Sequence, residues 1–287
     1  MPELAEVELA RRIWAAAEKE IITEVHCHPK TRVYRDTPAV AIQANLTGAR
    51  LLNSASHGKR LLFNFEKKEG SKSILFPLEV HLGMSGRLAL APPDHLPHKH
   101  DHLILRTLKH SLVYNDYRQF GRAHLHEDPA PWKDLPHEVL SHHFTTAHLR
   151  TLLSRRSRTS LKAFLLDQNC CPGIGNWMAD EICWRLLLHP ATPTVSLDPI
   201  ALRRELRFVT KGALRHVADK NENLARNPAK GFAAGSYVAQ VPPSSWLFQH
   251  RWKAGGHCPK CKIELARDTI ASRTTAWCPH CQPTSRI

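Results

Sequence analysis

Proline at position 2, followed directly by Glu3, is the part of the sequence closest to covalent chemistry. With Met1 removed, the exposed amine is secondary, with an ordinary α-amino pKa of about 8, so an appreciable fraction is neutral and nucleophilic near neutral pH. Such an amine can attack a sugar C1′ and form an iminium, by the logic of Schiff-base lysines. A carboxylate one residue away can shuttle protons during ring opening and elimination. Met-Pro-Glu is by itself a commonplace start, so the pair needs support from the rest of the chain.

Cys258-Pro259-Lys260-Cys261 and Cys278-Pro279-His280-Cys281 form two Cys-x-x-Cys knuckles, a spacing that can close a tetrahedral thiolate site. Four thiolates leave no open position, so one structural Zn2+ is expected rather than a catalytic one. Of the eight cysteines, the others are Cys27, Cys170, Cys171 and Cys183, which show no pairing pattern; metal ligation in a reducing compartment fits better than disulfides. Between the knuckles, residues 262–266 and 269–277 alternate enough to be two strands. A hairpin stapled by zinc can project Arg273 into a groove, where a guanidinium contacts phosphates or base edges; the plainer alternative is a solvated arginine. Gly173-Ile174-Gly175-Asn176 precedes a helix, where backbone amides and the Asn176 side chain can hold a phosphate at a positive helix end. A lone Gly-x-Gly is weak support.

These groups need elements to position them. Residues 4–19 place Leu4, Val7, Ala10, Ile13, Trp14 and Ala17 at three- and four-residue steps, an amphipathic helix that fixes the N-terminus beside it. Short β-type runs follow at 21–26, 60–65, 74–82, 102–108 and 111–115, which read as a β-sandwich or barrel. Pro129, Pro131 and Pro136 mark a linker over 127–143. Helix-period segments come next at 144–154, 160–168, 174–188 and 198–219, the last with Asp198 as N-cap and Pro199 at the first helical position. Residues 221–243 lose all periodicity and read as a long loop, of the kind that is usually functional or disordered.

The chain has 287 residues, enough for two domains with their own cores. Lys and Arg total 40 against 26 Asp and Glu, a formal charge of +14 before the 20 histidines contribute. Such a surface suits a polyanion with salt-dependent affinity, although charge alone also describes an ordinary basic enzyme. No apolar run approaches a signal peptide or a membrane span. The expectation is a soluble, intracellular protein without a membrane partner, cytoplasmic and nucleoid-associated in a bacterium.

Read as a whole, the start MPELAEVE, HGKRL around Lys59, HLGMSGRL around Met84, NDYRQFG around Arg118, LLDQ and PGIGN up to Asn176, and RTTAWCPHCQ around Arg273 stand in one order. Together they closely resemble the formamidopyrimidine-DNA glycosylase and endonuclease VIII family, over nearly the full chain. The resemblance implies an α+β fold: an N-terminal helix plus β-sandwich catalytic lobe over 1–126, a linker over 127–143, a helical lobe with a helix-two-turn-helix over 144–249, and a four-cysteine zinc-finger hairpin over 250–287. It implies Pro2 as nucleophile, Glu3 as proton shuttle, Glu6 as supporting carboxylate and Lys59 as a cation at the lesion phosphate. A lysine there would also lower the amine's pKa. Met84, Arg118 and Phe120 match residues that fill the space left by a rotated nucleotide, as a thioether, a planar cation and an aromatic ring can. For Met84 and Phe120 core packing is the plainer alternative, against which Gly83 and Gly86 point to a turn. Lys162, Asn176 and Arg273 are implied phosphate contacts, with Asp180 and Glu181 stabilising their helix.

The implied activity is that of a bifunctional glycosylase and abasic-site lyase, a monomer acting on double-stranded DNA that contains oxidised bases or abasic sites. It would excise oxidised purines such as 8-oxoguanine and formamidopyrimidines through a Pro2 Schiff base, with β,δ-elimination. Ala5 stands where the formamidopyrimidine branch usually has proline, Gln119 where it often has arginine, and 223–241 lacks that branch's usual lesion-recognition pattern. An endonuclease VIII-like preference for oxidised pyrimidines and a non-catalytic damaged-DNA-binding protein are the alternatives; Pro2, Glu3 and Lys59 argue against the second.

Overall fold

A computed structural model describes residues 2–221 and 241–284. The chain divides into two compact units at Leu135/Pro136; of the described residues, 217–221 group with the first and 241–284 with the second.

The first unit opens with α1 (Leu4–Ala15), which buries Leu4, Val7, Ala10, Ile13 and Trp14 on one stripe, as the apolar spacing predicts. After β1 (Glu24–Cys27) and α2 (Ala39–Leu46) come β2 (Arg50–His57), β3 (Arg60–Glu69), β4 (Lys72–His81), β5 (Arg87–Ala91), β6 (Asp101–Arg106), β7 (Ser111–Asn115) and β8 (Arg122–Leu125). They form two antiparallel sheets, β1-β6-β7-β5 and β2-β3-β4-β8. Trp14 links both: its indole donates to the Ala89 carbonyl of β5 at 3.2 Å, and its ring lies 4.9 Å from Phe63 of β3. Leu61, Phe63, Phe65, Leu78, Val80, Leu88, Leu90, Leu103, Leu105, Leu112 and Tyr114 are all buried, and β6 and β7 are covered on both faces, since Ile104 and Val113 are buried with Ala91 as well.

The second unit contains α3 (Thr146–Arg155), α4 (Leu161–Leu166), α5 (Asn176–Arg185), α6 (Pro199–Ala213) and the hairpin β9 (Ala266–Ile270) with β10 (Arg273–Trp277). Asp198 caps α6 as its position predicts, accepting from the Ile200 and Ala201 amides at 2.9 and 3.2 Å, with Pro199 in the first turn. Helices of the predicted set are present but shorter. The hairpin's first strand begins at Ala266 rather than 262, because 258–263 is occupied by the first knuckle's own hydrogen bonds, Cys258 N to Ile263 O and Lys262 N to Cys258 O. The loop read over 221–243 falls almost wholly outside the described residues. Among the described residues no helix is long and apolar enough to cross a membrane.

Candidate nucleic-acid interface and metal centre

Glu3 is the N-cap of α1 and is 2% exposed. Glu6 reaches back to accept from the Glu3 amide at 3.1 Å, so the two carboxylates close a capping box. Glu6 thereby fixes the backbone at Glu3, next to Pro2. The helix is registered on β2 by polar contacts. Ser56 donates to Glu8 at 2.7 Å, Arg11 donates to Ser54 at 3.0 Å, and the Lys19 amide donates to the Leu51 carbonyl at 2.7 Å. Advancing along α1 thus retreats along β2, and the helix start points toward the β2–β3 turn, Gly58-Lys59. Gly58 has φ +59°, the left-handed first position that a tight hairpin turn requires, and this sets Lys59 at the tip. Burial pushes the Glu8 carboxyl up, but hydrogen bonds from Arg11, Arg12 and Ser56 outweigh it and hold it at about 2. The clamp is therefore ionised at any physiological pH.

Met84 and Phe120 are 41% and 51% exposed, so they are not core. They stand on two turns that touch. Gly83, at φ +61°, lies so close to the second turn that a Cβ would sit 2.5 Å from both the Phe120 carbonyl carbon and the Gly121 nitrogen, so only glycine fits. Buried Asp116 ties the turns together, its carboxylate accepting from the Ser85 hydroxyl, from the Arg118 amide at 3.3 Å and from the Gly121 amide at 2.8 Å. The Arg118 guanidinium lies 4.8 Å from the Phe120 ring centroid, within cation–π range. Gln119 turns the other way and accepts from the Arg32 amide at 3.0 Å. Sequence reasoning passed over Asp116 because an acidic residue in a turn reads as solvated, and only the tertiary fold buries it.

Asp167 starts the turns between α4 and α5, its carbonyl accepting from the Cys170 and Cys171 amides at 2.9 and 2.8 Å. Gln168 staples them, donating to the Leu166 and Ile174 carbonyls, both at 2.9 Å. Asn176 then opens α5, its side-chain amide donating to the Thr274 carbonyl of β10 at 2.8 Å. Arg273, at the exposed hairpin tip, is the neighbour of that residue, so Asn176 and Arg273 lie in one locality.

Lys162 departs from its expected phosphate contact. Its side chain is 0% exposed, and its ammonium donates to the Asn176 carbonyl at 3.0 Å and to Asp180. A buried ammonium is retained only where partners satisfy it, and Asp180 supplies the charge. Asp180 also accepts from Arg251 Nε at 2.8 Å and from the Ala276 amide of β10 at 3.2 Å. Lys162 is thus tied to the α5 start and, through Asp180, to the hairpin. Glu181, its carboxyl pushed by burial to about 7, accepts from Arg185 at 2.8 Å and from the Phe248 amide at 3.2 Å.

The four sulfurs of Cys258, Cys261, Cys278 and Cys281 lie within 4.8 Å of one another. The Cys261 sulfur is 3.4 Å from that of Cys278 and 3.6 Å from that of Cys281, and Cys258 to Cys281 is 3.9 Å. A tetrahedral ion with metal–sulfur bonds of about 2.3 Å needs sulfurs roughly 3.8 Å apart, so the set fits a metal ion as it stands. The Trp184 indole donates to the Cys258 sulfur at 3.3 Å, the kind of outer contact that orients a ligand.

Comparison with known proteins agrees with this architecture. The family model of the formamidopyrimidine-DNA glycosylase N-terminal domain matches residues 1–123, and that of the formamidopyrimidine-DNA glycosylase H2TH domain matches 135–216. The chain is 31% identical to a formamidopyrimidine-DNA glycosylase of Chloroflexus aurantiacus, over 99% of this chain and 98% of the relative. It is 35% identical to one of Thermomicrobium roseum, over 99% of each. Among solved structures, it is similar to the Lactococcus lactis glycosylase in complex with DNA containing an oxidised pyrimidine (TM-score 0.80, 26% identity, 99% of this chain and 100% of that one). The same enzyme with DNA containing an abasic site matches with TM-score 0.79 and 27% identity, over 98% of this chain and 100% of that one.

Proposed function

The chain belongs to the formamidopyrimidine-DNA glycosylase family, and from that premise we propose that it is a bifunctional DNA glycosylase and abasic-site lyase of base excision repair, acting through a Schiff base on Pro2. The observation that carries this reading is the placement of Pro2 and Glu3 at the capped start of a helix whose register on β2 runs toward Lys59. In this reading the Pro2 amine attacks C1′ of the damaged nucleotide as the N-glycosidic bond breaks and the base leaves, the sugar C1′–O bond then opens to the iminium with Glu3 relaying the protons, and Lys59 offsets charge at the lesion phosphate. Elimination then cleaves the strand on both sides of the lesion. The four cysteines hold one Zn2+, which stiffens the hairpin bearing Arg273 and takes no part in bond breaking.

Oxidised purines are the first substrate class, since the MPEL start and the Met84, Arg118, Phe120 set follow the purine-acting branch. A second reading, oxidised pyrimidines, stands beside it, because the Lactococcus lactis relative was captured with an oxidised pyrimidine as well as with a formamidopyrimidine lesion. Borohydride trapping on duplexes carrying 8-oxoguanine, a formamidopyrimidine or an oxidised pyrimidine tests both. Adducts are expected with the purine lesions in preference, and an adduct with the pyrimidine alone would reverse the assignment.

Because Met84 and Phe120 are exposed on braced turns, their joint replacement by alanine should leave folding intact and act on base extrusion. Unstacking a paired base costs a few kcal/mol. Excision of a paired lesion should therefore slow by roughly ten- to a hundredfold, and cleavage at a pre-formed abasic site much less. Equal losses on the two substrates, measured under single turnover, would remove the wedge role.

A further inference from the structure

The loop 249–257, leading into the first zinc knuckle, surrounds an open cavity of about 570 Å³ lined by Gln249, His250, Trp252, Lys253, Gly256 and His257. This is within the range of about 300–1,000 Å³ common for small-ligand sites. Trp252 is 52% exposed, and a large ring left half in water is more informative than a scattered leucine.

The ring is not loose. The Arg251 guanidinium lies 4.7 Å from its centroid and Phe248 meets it edge-on at 5.2 Å, while Arg251 is itself buried and held by Asp180. Arg267 of β9 donates to the carbonyls of Arg251 and Lys253, and the Leu265 amide donates to the Gly256 carbonyl at 2.7 Å. A Cβ on Gly256 would stand 1.9 Å from the His250 carbonyl oxygen, so the loop closes on itself there. The result is a preformed aromatic platform, with Lys253, His250 and His257 lining the same cavity.

A planar aromatic face beside cations accepts a planar π-system that carries negative charge, and a nucleobase with its phosphate is that combination. Inside a duplex both faces of a base are covered by its neighbours, and only a terminal pair leaves one face open, so an unpaired base is the better partner. We propose that Trp252 stacks an unpaired nucleotide of a DNA strand and that Lys253 meets its phosphate, a contact separate from Met84, Arg118 and Phe120. The proposal deepens the DNA-repair reading and rests on it for the class of ligand.

The test uses the zinc-loaded full chain and fluorescence anisotropy with one duplex sequence, either blunt or carrying a short single-stranded tail of either polarity. Stacking on an aromatic residue contributes about 1–3 kcal/mol per base, so tailed DNA should bind at least about fivefold tighter than blunt. Trp252→Ala should bring that ratio to near one, Trp252→Phe should retain most of it, and Lys253→Ala should lower the salt slope for tailed DNA by about one. No tail preference in the parent, or the same preference in Trp252→Ala, overturns the platform. Borohydride trapping by the unaltered protein on blunt abasic duplex reports the lyase chemistry separately: no adduct there, with the tail preference present, would sink the Pro2 mechanism and leave the platform standing.

Discussion

Borohydride should fix the protein covalently to abasic-site DNA, and peptide mapping should place the adduct on Pro2. The expectation follows from the nitrogen's chemistry. As a free terminal secondary amine it can form an iminium, whereas behind a retained Met1 or any added residue it is a tertiary amide and cannot. A terminally extended protein should therefore lose strand cleavage altogether while still binding DNA, since the capping box and the α1–β2 contacts begin at Glu3. Glu3→Gln should separate the steps. It keeps the amine and the approximate shape but removes the proposed proton shuttle, so turnover should fall by roughly 10²- to 10⁴-fold with a much smaller change in binding. Glu3 is also the helix cap, so the amide variant needs a thermal-melt control, with a loss of about 1 kcal/mol tolerated. An adduct that mapped to Lys59, or cleavage by the terminally blocked chain, would remove Pro2 as nucleophile even though the family membership stands.

How far the sequence foresaw this arrangement depends on whether the deciding contacts are local. α1 was legible because its apolar positions repeat at helical spacing, and the α6 start because Asp198 caps its own helix. β2 was not: Asn53, Ser54 and Ser56 give it no apolar alternation, and it is a strand because β3 pairs along its length. α2 was missed as well. It buries only Ile42 and Leu46 and leaves Val40 73% exposed, so its composition shows no clean stripe. The turn that exposes Met84 was readable from Gly83 and Gly86, whereas its brace Asp116 was not, because the groups it bonds come from two separate turns. The burial of Lys162 was hidden for the same reason. The resemblance implies a phosphate contact there, and what buries the lysine, Asp180 with Arg251 and the Ala276 amide, comes from remote parts of the chain.

That buried hub decides what metal removal should do. Chelation, or Cys261→Ser, opens a tetrahedral site whose binding free energy is folding free energy for the segment it closes, of order 10 kcal/mol for structural zinc in small domains. The hairpin β9–β10 should unfold, and with it go the Thr274 carbonyl that holds the Asn176 amide and the Ala276 amide that donates to Asp180. The loss should therefore reach beyond Arg273 to the start of α5, weakening DNA binding by more than tenfold and reducing its salt slope as phosphate contacts disappear. Trp184 gives a local signal, because its indole donates to the Cys258 sulfur and Lys260 lies 4.5 Å over its ring, so its fluorescence should change as metal leaves. The sheets of the first unit lie outside this network, and most far-ultraviolet β signal should persist. Arg273→Ala in the zinc-loaded protein is the control: it removes one exposed cation without opening the hairpin, so its salt slope should drop by about one and its Trp184 signal should stay. Full affinity in protein shown to be metal-free would mean that the Asp180 hub holds the hairpin without zinc, and that the cysteines do not set the geometry of the interface.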